Sequence, residues 1–460
     1  MSIRVSSNQM VYGYQKQLND ANTRQTSLLE QGDGSKLHRP SDNPVDYSKF
    51  IRYDTSLNEN EQYTNNVNTG LAWMKTSDSA LVNMTAIQTT FKEKTIAAAN
   101  DTNNTTDMAA IGKEMMAEIQ ELVSLGNTMQ GDSYVFGGQT DLTRPFTMSE
   151  NLMQRGMTKT LDETQQAFFS SGVDENEMGT LRQMLSLKGS DGNTYYLNTY
   201  DGNIYSQDFM DNGYKDKLAV GQKTVEDSDA AGTIADWTSS KVVSDYFKNT
   251  GEIIKTEYAY SGSNDDFSSA PAIFTNIEVT NTDGSTSSIS LKFNTIEQQI
   301  VSFTGDQKYV SMVKKNGTTE PTADTVNVTS SEIFGMDIFD DPASGNSPSG
   351  TAMLNEMLTV HAKVVGDDHI WLDTDGVTIA DEAHAQTVKT ETKLGARTQL
   401  YNSVSTMLVT QNEIITGDIT NTSSTDVAKL AVQLMQEQTI YNMSLSLGAR
   451  ILPQSLADYL

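Results

Sequence analysis

Along the first thirty residues the apolar or small side chains of Tyr14, Leu18, Ala21 and Leu28 recur at steps of four, three and seven, with mostly polar residues between them. Such a repeat lays one narrow apolar seam along an amphipathic helix. A second run, Leu57, Val67, Leu71, Met74, Leu81 and Met84, keeps near-heptad register, and a third carries Met108, Ile111, Met115, Ile119, Leu122 and Met129. The pattern returns toward the other end of the chain. Leu400, Val404, Met407, Leu408, Ile414 and Ile415 form one helical stripe, and Val427, Leu430, Leu434, Tyr441 and Leu445 form another. Helices from opposite ends of a sequence, each with one seam, can satisfy one another by pairing.

Between about Pro145 and Asp367 the chain is rich in Gly, Ser, Thr, Asn and Asp, and its apolar runs are short and alternating. That is a strand pattern. Ile277 and Val279 precede Asn281-Thr282-Asp283-Gly284, and Ile289, Leu291 and Phe293 follow it, which predicts a hairpin because Asp-Gly supplies turn geometry. Asp191-Gly192, Asp201-Gly202 and Asn316-Gly317 mark further turns. The fold class expected is α+β and multidomain: long amphipathic terminal helices from both chain ends pair as a coiled-coil-like stem that carries a central β-rich insert.

The segment His38 to Phe50, HRPSDNPVDYSKF, interrupts the helical pattern. Pro40 and Pro44 fix their own backbone angles and push the preceding residue out of the helical region, so one helix must end here. Ser41, Asp42 or Asn43 can cap the next, with Pro44 in its first turn. A helix-loop-helix corner is predicted.

Composition removes whole classes of function. At 460 residues the chain is expected to hold several domains. Its formal net charge of -28 opposes a phosphate backbone, and no basic face is evident, so nucleic acid is excluded as a partner. Without a cysteine there is no disulfide, thiolate ligand or cysteine nucleophile. Neither a signal-peptide pattern nor an apolar stretch of about eighteen residues occurs, so a soluble chain without a membrane partner is expected. Metalloprotease, P-loop, nucleophile-elbow and dinucleotide motifs are all missing. The histidines His38, His361, His369 and His384 are too scattered for a metal site. Asp373, Asp375, Gly376 and Glu382 fall at the third, fifth, sixth and twelfth places of a calcium loop, but Trp371 occupies the first, and the segment reads as a turn. No catalytic, cofactor-binding or metal residues are expected, and the chain reads as no enzyme.

The corner residues Arg39-Pro40-Ser41-Asp42-Asn43-Pro44-Val45 resemble the Arg-Pro-Ser-Asp-Asp-Pro segment of the bacterial flagellin family, with Asn43 as a departure. Ile3-Arg4-Val5-Ser6-Ser7-Asn8 is similar to the family's opening. Tyr134-Val135-Phe136-Gly137-Gly138-Gln139-Thr140-Asp141 with Arg144-Pro145-Phe146 resembles the junction branch of that family, as do Phe303 to Asp306, Ser331 to Gly335 and the ending Ser455-Leu456-Ala457-Asp458-Tyr459-Leu460.

The resemblance implies a structural, non-enzymatic part of the bacterial flagellum that joins hook to filament. It implies an inner-tube domain of residues 1–44 with 414–460, a helical bundle of 45–146 with 366–413, and a β-rich outer insert of 147–365, divisible into 147–300 and 301–365. Arg39, Pro40, Ser41, Asp42 and Pro44 then form the corner between the first two domains. Leu18, Leu28, Val427, Leu430, Leu434, Tyr441, Leu445, Leu456, Tyr459 and Leu460 are expected at a subunit or chaperone interface, and Tyr134, Phe136, Gly137, Gly138, Pro145 and Phe146 carry the junction motif. Implied partners are copies of the chain in a ring or helical homo-oligomer, another hook-associated protein on the hook side, flagellin or a second junction layer on the filament side, and a cytosolic export chaperone. Localisation on the extracellular flagellum follows, by export without a cleaved signal. Flagellin itself, and a secreted calcium-dependent adhesin with a helical stalk, are the alternative readings.

Overall fold

The amphipathic runs are helices in the computed structural model, which describes residues 3–170, 182–198, 203–215, 233–236, 275–280, 286–310, 325–336, 338 and 350–451. Helix α1 (Ile3–Glu30) leads into the corner, followed by α2 (Pro44–Ala98) and α3 (Thr105–Gly126). Asn104 caps α3 in a reciprocal box with Asp107. The third apolar run was expected to include Met129, but α3 stops at Gly126. Asn127 ends it by bonding both backbone groups of Phe146 at 2.9 Å, and Met129 opens a strand instead.

The central strands are β1 (Met129–Gln130), β2 (Ser133–Tyr134), β3 (Phe146–Met148), β4 (Met153–Gly156), β5 (Thr158–Thr160), β6 (Gln183–Gly189), β7 (Thr194–Leu197), β8 (Asn203–Ser206), β9 (Thr233–Asp236), β10 (Thr275–Thr280), β11 (Thr286–Phe293), β12 (Thr295–Gln298) and β13 (Val301–Phe303). Among the described residues they make one seven-stranded antiparallel sheet, in the order β10-β11-β6-β7-β8-β9 with β5 also on β6, and three two-stranded pairs. The predicted hairpin is β10–β11, with Ile277 opposite Ile289 and Thr280 opposite Thr286; its turn at 281–285 lies outside the described residues. Gly192 makes the β6–β7 turn at φ 89°, whereas the Asp201-Gly202 and Asn316-Gly317 turns lie outside them.

Helices α4 (Glu163–Phe169), α5 (Ser330–Phe334) and α6 (Ala352–Val365) share this span with the strands. The chain then passes through α7 (His369–Trp371) and a π-helical stretch (Leu372–Gly376) into α8 (Val377–Ser423) and α9 (Val427–Ile451). Long helices from the two ends pair, α1 with α9 and α2 with α8, and the residues between them in sequence are rich in strands. The α+β class holds.

Two compact units form, residues 1–68 with 403–460 (unit 1) and residues 69–402 (unit 2). In unit 2 the buried positions of α2, apart from Ala80, alternate at steps of four and three through Gly70, Met74, Ser77, Leu81, Met84, Gln88, Phe91, Thr95 and Ala98. The facing helix α8 repeats this with Ala383, Thr387, Thr390, Leu394, Arg397 and Tyr401. This is a coiled-coil seam. Gly70 belongs to it because a side chain there would meet the Tyr401 ring at 3.0 Å. A separate aromatic core, including Phe168, Phe169, Tyr205, Phe209 and Tyr214, packs α4 against the sheet.

Glu382 of α8, hydrogen-bonded to Gln166 at 2.9 Å, has its carboxyl raised above the ordinary 4.5, first by burial, with the Gln166 bond opposing. The folded state thus holds this proton more tightly than the unfolded one, and stability falls as pH rises from 4.5 through the raised value. Glu382→Gln is expected to raise the urea midpoint at neutral pH and to leave it unchanged below about pH 4, where a glutamate is largely protonated in either state.

Candidate functional site

In unit 1, each terminal helix shields one narrow face. Of residues 12–30 in α1 only Tyr14, Leu18, Ala21, Gln25 and Leu28 are not exposed, and of residues 427–446 in α9 only Leu430, Leu434, Glu437, Tyr441 and Ser444. Both sets step by four and three, so each is one helical stripe, and the helices pack through them. Arg24 reaches Glu437 at 3.9 Å. Leu18, Leu28, Leu430, Leu434 and Tyr441 of the expected interface therefore lie where the chain's own two ends meet. Val427 and Leu445 are exposed, and Leu456, Tyr459 and Leu460 lie outside the described residues.

The opposite face of α9 is apolar as well. Val432, Met435 and Met443 sit on it at 55%, 63% and 66% exposure. Sequence reading missed them because the inner stripe has the stronger heptad register; the second, offset repeat Val432, Met435, Thr439, Met443 was the available signal. On α8 the single predicted stripe divides. Leu408 is buried and Val404 and Ile415 are half-buried, while Met407 and Ile414 stay in solvent. Asn60 of α2 fixes this rotation by donating to the Leu408 carbonyl at 3.2 Å. Among the described residues, unit 1 buries five apolar side chains (Ala21, Leu37, Val67, Leu408 and Leu430) and exposes fourteen large ones. Covering each such side chain fully stabilises by about 1.5–3 kcal/mol, so the imbalance favours association.

Two chain reversals meet beside these faces. At the corner, the Asp42 carboxylate accepts from the His38 and Arg39 amides at 3.0 and 2.8 Å, and Arg39 pairs with Glu30 at 3.0 Å. Asn43 caps α2 by accepting from the Asp46 amide at 3.2 Å, which leaves Pro44 as the first helical residue. Pro40 and Ser41 are exposed between them. The α8–α9 reversal is capped by Asp426, which accepts from Ala428 and Lys429. Lys36 donates to Ser423 and Thr425 to Gly34, at 2.7 and 2.9 Å, so the reversals hold each other.

In unit 2 the residues resembling the junction branch form a lock. Asp306 accepts from the Gln139 amide at 2.8 Å and donates its own amide to the Gly137 carbonyl at 3.1 Å. Phe146 lies against Phe303 and Phe334 with ring centroids 5.0 and 5.6 Å apart. Thr304 donates to the Pro145 carbonyl, and Tyr134 to that of Asp141. Phe136 is buried while Tyr134 is partly exposed. Segments far apart in sequence are thereby brought together. Gly138 sits at φ 71°, where a β-carbon would run into the Asp306 backbone. Gly138→Ala is expected to destabilise unit 2 by about 2 kcal/mol or more, read from the urea midpoint.

The segment read as a turn around Asp373 is helical, running from α7 through the π-helical stretch into α8. Its Asp375 is committed to a buried ion pair with Lys159 at 2.8 Å, and that partner favours helix packing over an open loop. Among the described residues no group of three acidic or histidine side chains is placed to hold a metal ion, and no helix is long and apolar enough to cross a membrane.

Helices drawn from both chain ends pair through narrow seams and present further apolar faces, and the residues between them in sequence include a β-rich region. Residues 5–140 match the bacterial flagellin N-terminal helical region. The chain is 26% identical over 138 residues to flagellar hook-associated protein 3 of Escherichia coli K12, which covers 29% of this chain and 44% of that one. It is 25% identical over 174 residues to the B-type flagellin of Pseudomonas aeruginosa, covering 38% and 35%. The chain thus spans less than half the length of these curated relatives. Hook-associated protein 3 of Legionella pneumophila is similar over 81% of this chain and 98% of its own, at 12% identity and a TM-score of 0.36.

Proposed function

We propose that the chain is a structural, non-enzymatic component of the bacterial flagellum, a hook-associated junction protein whose copies form a ring or helical layer between hook and filament. The observation that carries this is the excess of exposed over buried apolar side chains in unit 1, fourteen against five among the described residues. A repeated contact between identical copies covers such faces and closes a ring or propagates a helix. Two of its relatives bear the name flagellar hook-associated protein 3. The Tyr134–Phe146 motif and the residues 455–460 also favour the junction branch over flagellin.

In this reading α1 and α9 belong to the tube wall and the β-rich span to its outside. A hook-associated protein adjoins it on the hook side, and flagellin or a second junction layer on the filament side. A cytosolic chaperone covers the apolar face of α9 before export to the extracellular flagellum. Flagellin is the second reading, favoured by the Pseudomonas relative. Labelled-antibody microscopy separates them: a band at the hook tip is expected, label along the whole filament indicates flagellin, and label on the cell body rejects both.

A further inference from the structure

The outward face of α9 presents sulfur where most of the molecule hides it. Of the 21 methionines, only Met129, Met407, Met435 and Met443 are exposed among the described residues, whereas those of the unit 2 core, such as Met74, Met115, Met353 and Met357, are sealed. Met435 and Met443 lie two helical turns apart on one face. The chain has no cysteine, so no thiol of its own intercepts an oxidant.

We propose that Met435 and Met443 are oxidation sites that switch off association: hydrogen peroxide converts them to sulfoxides in the free chain, and the modified face no longer packs against its neighbour. The sulfur lone pair attacks one peroxide oxygen, the S–O bond forms as the O–O bond breaks, and the leaving hydroxide takes the proton of the transferred oxygen as water. Sulfur loses two electrons and peroxide gains them. The product is a polar, chiral side chain in place of a flexible apolar one. It needs a donor when covered, and the nearest hydroxyl on that face is engaged, because Thr439 donates to the Met435 carbonyl at 2.8 Å. The face towards α1 carries Leu430, Leu434 and Tyr441 and has no sulfur at its shielded positions, so oxidation leaves the α1–α9 pairing intact. Methionine oxidation is reversible by reductases, so the effect is a switch rather than a lesion.

The inference rests on the proposed junction role, and its test separates the two. Full-length chain, untreated or treated with hydrogen peroxide, is mixed with hooks isolated from cells lacking it and pelleted, with peptide mass mapping of each methionine. Expected are sulfoxides at Met435 and Met443, unchanged helical circular dichroism and at least a tenfold loss of pelleted chain. The double variant Met435→Leu, Met443→Leu should pellet fully with and without peroxide. Undiminished pelleting of chain oxidised at both positions overturns the inference, as does equal peroxide sensitivity of the double variant. Failure of the untreated chain to pellet overturns the junction role itself, and this inference with it.

Discussion

Met435→Asp is expected to be exported, to keep α1 paired with α9, and to vanish from the hook tip, with flagellin released into the medium instead of polymerising on the cell. Met435 points away from α1 and is 63% exposed in the single chain, so a carboxylate there costs the monomer almost nothing. In an assembly that covers α9, the same carboxylate is desolvated without a partner, at a cost of several kcal/mol. Each 1.4 kcal/mol is tenfold in an association constant, and every copy of a closed ring carries the substitution. Leu434→Asp differs in kind. Leu434 is half-buried towards α1, so that variant should also lose helical signal in the monomer. Circular dichroism of the purified variants and immunoblots of cell-bound and medium fractions distinguish the two effects. Filaments of normal length on Met435→Asp cells would remove the outward face from the subunit contact.

Glu356→Ala should have the largest effect on stability. Glu356 of α6 is fully buried, accepts from Gln183 at 2.9 Å and from the Thr158 hydroxyl, and lies 3.6 Å from the equally buried Arg155. Removing the carboxylate leaves the guanidinium in the interior without that counter-charge, for which about 3–5 kcal/mol of destabilisation is expected. The double change Arg155→Met, Glu356→Leu replaces both charges with apolar groups and should recover most of the loss. Urea denaturation of the full chain checks both, and a single-variant loss below about 1 kcal/mol would show that the pair is not what holds β4 and α6 together.

The features legible in the sequence were those written in local periodicity. The α2 seam through Met74, Leu81 and Met84 is buried as expected, and Pro44 opens its helix behind a polar cap. The predicted Ile277–Phe293 hairpin forms, with Ile277 opposite Ile289. Rotation about a helix axis was not legible. Leu400, Met407 and Ile414 lie on one edge of the α8 stripe and stay exposed, because tertiary partners, not the stripe itself, decide which edge is covered. Helix α6 was hidden within the span expected to be β-rich: residues 352–360 are all buried, and a helix shielded on every side has no polar face to reveal its period. The ion pairs Lys159–Asp375 and Arg397–Glu332 join residues 216 and 65 positions apart, a pairing that no local pattern encodes.

Whether assembly covers the outward face of α9 is open to one direct measurement because the chain contains no cysteine. Met435→Cys and, as a control, Ser190→Cys on the exposed β6–β7 turn are each labelled with a maleimide dye, once as purified chain and once in intact flagella. Both positions should label rapidly in the free chain, and in flagella labelling at position 435 should be at least tenfold slower with an unchanged rate at 190. Equal rates at position 435 in the two states would mean that α9 faces solvent in the flagellum, and the terminal helices would then not be the subunit contact.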